Sequence, residues 1–139
     1  MSLSLSGELQ GAVYTALVND TVLSGLVGSE IYDAPLPSGG SLPEGEHVTL
    51  GEESVKPFNS VTSRGSVHDF DIFVHSTASG FSAAKEVIKA IGDVLDDASL
   101  PLIGGHMVRL QFLKARARRG VAPELRRVEL RFRAVLEEN

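Results

Sequence analysis

Four histidines, His47, His68, His75 and His106, are the side chains best suited to proton transfer or metal ligation in this chain. His68 is followed directly by Asp69, but neighbouring residues of an extended strand face opposite ways, so the two do not chelate one ion. His75 and Asp71 share a face at a spacing of four, too far for a direct pair along a strand. These groups read as polar strand surface. Gly80-Phe81-Ser82-Ala83-Ala84 lacks the second glycine of a nucleophile elbow, and no Walker-type or dinucleotide glycine loop is present. Asp93, Asp96 and Asp97 fit a solvated helix end, and Glu44, Glu46, Glu52 and Glu53 fit exposed surface. There are no cysteines, which removes disulfides, thiol nucleophiles and cysteine-based zinc sites and fits a reducing compartment. No catalytic, cofactor-binding or metal-binding residue follows from these patterns.

The basic residues carry more information. Up to Gly105 the chain has four basic and fourteen acidic residues, and from His106 onward nine basic and four acidic, so a net charge of −5 divides into −10 and +5. Such asymmetry bears on partners rather than on fold. Arg116, Arg118, Arg119, Arg126 and Arg127 crowd one short region. Basic side chains guard exposed strand edges, yet five together repel one another and favour a negatively charged partner. One candidate is the acidic remainder of an identical subunit, since head-to-tail contacts of unlike surfaces close into rings. Nucleic acid phosphate is the other.

The elements that position these residues follow from periodicity. Leu9, Val13, Ala16 and Leu17 make one apolar face of a helix from about Gly7 to Val18, with Ser6 as N-cap, Glu8 at its start and Asn19-Asp20 as its break. Thr21–Leu26 adds a short helical turn with Gly28 as exit, and Ile31-Tyr32 a brief extended segment. Pro35, Pro37, Gly39, Gly40 and Pro43 then enforce a loop. A strand follows over His47–Val55, a polar loop over Lys56–Ser66, and a clear strand over Val67–Ser76. In that last strand Phe70, Ile72 and Val74 face one way and Asp69, Asp71 and His75 the other. Ala84, Val87, Ile88, Ile91 and Leu95 mark a second amphipathic helix over Phe81–Asp97. Met107–Arg119 and Arg126–Glu137 alternate as a hairpin around Gly120-Val121-Ala122-Pro123. Simple alternation puts Val108, Leu110 and Phe112 on the same face as Lys114, Arg116 and Arg118, giving an apolar base and a basic tip. Arg109–Arg119 extends about 36 Å, against an expected radius of gyration of about 14 Å, so the tip is expected to project.

The fold class is α+β, with an antiparallel-rich or mixed sheet of about four strands, two main helices on one face and a long C-terminal hairpin over 107–137. The 139 residues are expected to form one domain, ordinary in composition at 42% hydrophobic and 22% charged. Met1–Ser6 has neither the basic nor the apolar region of a signal peptide, and no apolar run approaches the roughly 20 residues that span a bilayer. A soluble protein with no membrane partner is expected.

Several ordered segments resemble the tail terminator proteins (tail completion, or head–tail joining) of long-tailed phages and phage-like gene transfer agents. They are Ile31-Tyr32-Asp33-Ala34-Pro35, His47-Val48-Thr49-Leu50-Gly51-Glu52 and His68-Asp69-Phe70-Asp71-Ile72-Phe73-Val74-His75-Ser76, followed by the Ala84-Lys85 helix and Val128-Glu129-Leu130-Arg131-Phe132-Arg133-Ala134-Val135. The resemblance spans nearly the whole chain and lies in order and spacing. It implies a structural protein, not an enzyme and without cofactor, that forms a hexameric ring capping the tail tube, stops its polymerisation and joins the tail to the head. Implied partners are copies of itself, the tail-tube protein and the head-completion or connector protein, with DNA passing through the lumen as non-specific cargo. The implied setting is the bacterial cytoplasm during assembly, then the particle. The candidate assembly interface, read from this sequence's own patterning, comprises Lys56, Phe58, Asn59, Arg64, Lys114, Arg116, Arg118, Arg119, Arg126 and Arg127. The alternative is a nucleic-acid-binding protein using the basic hairpin, a reading weakened by the acidic overall charge and the absence of stacking aromatics at the tip.

Overall fold

Helical and alternating periodicities sort the chain into three helices and five strands. The computed structural model describes residues 5–34, 43–59, 64–78, 80–119 and 126–139; the expected turn at Gly120–Pro123 and most of the Pro35–Pro43 loop lie outside them. Helices α1 (Ser6–Val18) and α2 (Thr21–Val27) lead into strand β1 (Ile31–Tyr32). Then come β2 (Glu46–Asn59), β3 (Arg64–Ser76), α3 (Ser82–Leu95), β4 (Gly105–Arg119) and β5 (Arg126–Glu138). The sheet runs β1-β2-β3-β5-β4. Its first pair is parallel and the rest antiparallel, so it is mixed.

Local chemistry accounts for most boundaries. Asp20 accepts a 2.9 Å hydrogen bond from the Leu23 N–H and caps α2. Gly28, at φ 61°, ends that helix in a conformation open to glycine. Ser6 is not the cap expected of it: Leu5 holds the N-cap position without a side-chain bond, and the Ser6 hydroxyl donates to Glu53 on β2. Glu8 accepts from the backbone N–H of Ile103 at 2.6 Å and tethers the loop before β4 to α1.

Three expectations are corrected. Lys56–Ser66 is not a loop, because β2 continues to Asn59 and β3 begins at Arg64, pairing Lys56 with Val67 and Asn59 with Arg64; residues 60–63 lie outside the described part. Nor does β4 keep a simple alternation. Bulges between Met107 and Arg109 and between Phe112 and Lys114 each add one residue, and each addition reverses the faces. Met107, Leu110, Phe112, Ala115 and Ala117 therefore line up with the inward residues Leu136, Ala134, Phe132, Leu130 and Val128 of β5. Val108 is left 52% exposed, and Lys114, Arg116 and Arg118 turn to the opposite face. Finally, the hairpin does not outrun its sheet through Arg119 and Arg126, since Arg126 still pairs with Ser76 of β3.

All three helices cover one face of the sheet. Leu9, Val13, Leu17, Leu23, Val87, Ile91 and Leu95 meet Val48, Leu50, Ile72, Val74, Leu130 and Leu136 in one buried cluster. At its centre Phe132 of β5 is 0% exposed. Its ring lies 5.9 Å from Phe70 on one neighbouring strand and 5.7 Å from Phe112 on the other, and both are its direct register partners. Stacked and edge-to-face aromatic pairs of this kind add to area burial. Phe132→Ala is expected to remove about 3–5 kcal/mol of stability, read as a lowered urea midpoint; a loss below about 1 kcal/mol is expected only of a surface position.

Candidate assembly interface

Among the described residues no helix lies over the sheet's other face, which carries charge in place of apolar packing. Arg131 and Arg133 on β5 stand directly opposite Asp71 and Asp69 on β3. Each guanidinium makes two bonds to its carboxylate, at 2.8 and 3.2 Å for Arg131–Asp71 and 2.7 and 2.9 Å for Arg133–Asp69. The Arg133 hydrogen bonds hold Asp69 below the usual carboxylate range against the opposing effect of its partial burial. Toward the hairpin end Glu129 takes Arg127 at 2.8 Å and Arg118 at 3.3 Å. Half-exposed pairs like these contribute about 0–1 kcal/mol each, but a one-residue slip would break all of them, so they fix register more than they add stability.

The candidate residues fall at two ends of this sheet. Lys56, Phe58 and Arg64 lie at the β2–β3 end, where Phe58 is 59% exposed beside Gly65; Asn59 pairs with Arg64 there through its backbone. Lys114, Arg116, Arg118, Arg119, Arg126 and Arg127 lie toward the opposite end, around the close of β4 and the start of β5. These six do not form one patch. Lys114, Arg116, Arg118 and Arg127 point to the uncovered face, whereas Arg126 turns under the helix side, bonds the Ala78 carbonyl at 2.9 Å and lies 5.5 Å over the Phe81 ring. Lys114, Arg116 and Arg119 are exposed and have no ion-pair partner among the described residues.

Sequence reasoning missed the Asp69/Asp71–Arg131/Arg133 ladder, although opposite charges at matched alternate positions were its signal. It also missed an open groove of about 470 Å³ between α3 and β4, lined by Ile88, Gly92, Phe112, Ala115, Leu130 and Phe132 with Lys85, Lys89, Asp93 and Asp96 around them. The two alanines of β4 stand opposite Leu130 and Val128 and leave this side of the sheet thinly covered.

The histidines divide between the faces. His68 is not surface. It is fully buried under the helices, with Nε2 2.7 Å from Ser66 Oγ and Nδ1 3.1 Å from Oε2 of Glu53, which is exposed as expected yet engaged. This has the connectivity of a hydrolytic triad, but Ser66 and His68 are both 0% exposed, so no substrate reaches the hydroxyl, and the bonds satisfy buried polar atoms. On the uncovered face His75 stacks on His47 with centroids 4.4 Å apart and bonds Thr49 Oγ1 at 3.0 Å. Phe73 carries the Arg127 guanidinium 5.2 Å above its ring. Among the described residues no group of three or more His, Asp or Glu is placed to hold a metal ion. Burial first, then the neighbouring His47 and the Arg127 charge, lower the His75 pKa from 6.5 to about 4, and burial lowers that of His47 as well. The unfolded chain therefore binds a proton at His75 between about pH 6.5 and 4 that the folded chain refuses. Stability from this site is full above pH 6.5 and falls as pH drops toward 4. Unfolding at pH 4.5 and 7.5 is expected to differ by about 2 kcal/mol more in the wild type than in His75→Gln, which keeps a partner for Thr49 without titrating. Equal pH slopes would refute the assignment.

Comparison with known proteins agrees with a scaffold organised around surfaces. The profile of the family "Tail completion protein gp17" matches residues 11–137. Among solved structures, a chain of the virion of a native gene transfer agent (GTA) particle superposes with a TM-score of 0.86 at 43% sequence identity, covering 98% of this chain and 99% of that one. No curated protein matches. The match runs through every described strand, the basic hairpin included, and the chain belongs to the tail completion protein gp17 family as a structural tail protein.

Proposed function

We propose that this protein forms a ring, hexameric in the finished particle, at the head-proximal end of a phage-like tail, where it ends tail-tube polymerisation and joins the tail to the head. The observation that carries this reading is the match to a tail completion family and to a gene transfer agent virion chain over nearly its whole length. Its partners on this reading are further copies of itself, the tail-tube protein and the head connector. It assembles in the bacterial cytoplasm before it becomes part of the particle. The role is non-enzymatic, in keeping with the burial of Ser66 and His68. DNA is cargo through the lumen, not a sequence-read ligand. Most hairpin arginines are already engaged by Glu129, Asp69, Asp71 or a backbone carbonyl, which leaves few charges to neutralise phosphates.

Two measurements test the reading. Particles made without this protein should carry tails of unregulated length and heads without tails, and supplying it should restore both; tails of normal length in its absence would refute a terminating role. Arg116→Ala with Arg118→Ala should reduce the yield of joined particles while moving folding stability by no more than about 0.5 kcal/mol, since Arg116 is exposed and Arg118 makes one half-exposed pair.

A further inference from the structure

The strand order places opposite charge on the two edges of one sheet. β4 forms one edge and carries Arg109, Lys114, Arg116, Arg118 and Arg119 with no acidic residue. The other edge is β1 with β2 behind it, and the described residues 30–34 and 43–59 hold Glu30, Asp33, Glu44, Glu46, Glu52 and Glu53 against Lys56 alone. The edges are thus +5 and −5. Two β4 edges repel, as do two β1–β2 edges, so the charges oppose an isologous contact and favour a head-to-tail one.

Neither edge is built to extend the sheet by strand pairing. On β4 the Leu110 carbonyl accepts from Asp97 N–H at 2.9 Å, and the Phe112 N–H donates to the Asp96 carboxylate at 2.9 Å, so the end of α3 closes the middle of that edge. On β2 a bulge interrupts the ladder between Leu50 and Glu53, and Pro57 lacks an N–H. What both edges offer instead is exposed charge: Asp33, Glu44 and Glu52 on one, Lys114, Arg116 and Arg119 on the other. Phe112 on that same edge is 44% exposed, which supplies apolar area that ion pairs alone lack.

We infer that copies of this chain meet head to tail through side chains, with the acidic β1–β2 edge of one copy (Asp33, Glu44, Glu52) docking on the basic β4 edge of the next (Lys114, Arg116, Arg119). This rests on the ring reading above and names the two surfaces that close the ring.

The first test is zero-length carbodiimide coupling on assembled particles. Lys114 is the one lysine on β4. Within one copy it sits four strand spacings, about 19 Å, from β1 and three, about 14 Å, from β2, so a Lys114 link to Asp33 or Glu44 joins two copies. Such links are expected, and their absence beside links to other carboxylates would overturn the inference. The second test exchanges charge. Arg116→Glu with Arg119→Glu turns the basic contact set Lys114, Arg116 and Arg119 from +3 to −1, and Asp33→Lys with Glu52→Lys turns the acidic set Asp33, Glu44 and Glu52 from −3 to +1. Each variant alone should lose at least about tenfold in ring yield, while an equimolar mixture should recover most of it by alternating around the ring. Variants that fold with unchanged urea midpoints yet form rings alone, or a mixture that restores nothing, would overturn the edge assignment and leave the ring reading intact. A wild-type chain that forms no oligomer even on tails would overturn both.

Discussion

The last strand is the element on which the rest depends. β5 pairs with β3 along its whole length and with β4 along the other side, so two hairpins that are distant in sequence become one sheet only when residues 126–138 arrive. Phe132 makes that junction a packing event. Its ring is fully buried between Phe70 and Phe112, each a register partner on a neighbouring strand. A buried aromatic of this size dominates the local energetics, and a slip of β5 by one residue would turn it out of the core. The same slip would part Arg131 and Arg133 from Asp71 and Asp69 on the opposite face. One strand thus carries two independent locks on a single register, apolar on one side and ionic on the other.

That two-sided construction explains why this face can be stable with no helix over it among the described residues. A sheet face left open to water must be polar or find a partner. Here the ladder of guanidinium–carboxylate pairs satisfies most of it, and the His47–His75 stack with Phe73 closes one end. The unpaired charge is pushed to the edges, where the strand order sets basic β4 and acidic β1–β2 four strands apart. The imbalance visible along the chain, acidic before Gly105 and basic after it, is converted by topology into a direction across the sheet.

Much of this was legible beforehand, and the failures have definite physical causes. The helix stripes Leu9–Val13–Leu17 and Ala84–Val87–Ile91–Leu95, the facing of Phe70, Ile72 and Val74, and the C-terminal hairpin all follow from period, because burial on one side imposes it. What alternation does not carry is a bulge. Two inserted residues in β4 reversed the faces of Val108 and of Lys114–Arg118, and neither is marked by a glycine or proline. His68 was misread for a related reason. Its inward parity matches Phe70 and Ile72, but a histidine on an apolar face is tolerated only through partners distant in sequence, and Glu53 lies 15 residues away. The β2–β3 hairpin end was misread because Lys56 and Asn59 are polar and Pro57 lies between them; these residues are stabilised by the β3 ladder more than by any propensity of their own.

Charge, rather than strand pairing, at the edges also suits the proposed ring, whose subunits must stay apart before they assemble. Open strand edges recruit one another indiscriminately, which would let subunits polymerise away from the tail. A bulge and Pro57 on one edge, and the Asp96–Asp97 cap on the other, block that route. Complementary charge remains, and exposed charge pairs gain little individually and weaken with salt. Contacts of that strength are poor at holding two free copies together. They become effective when a template already brings several copies side by side, because each further contact is then intramolecular in character. In the proposed ring, the arrangement couples closure to the presence of the structure it must close upon.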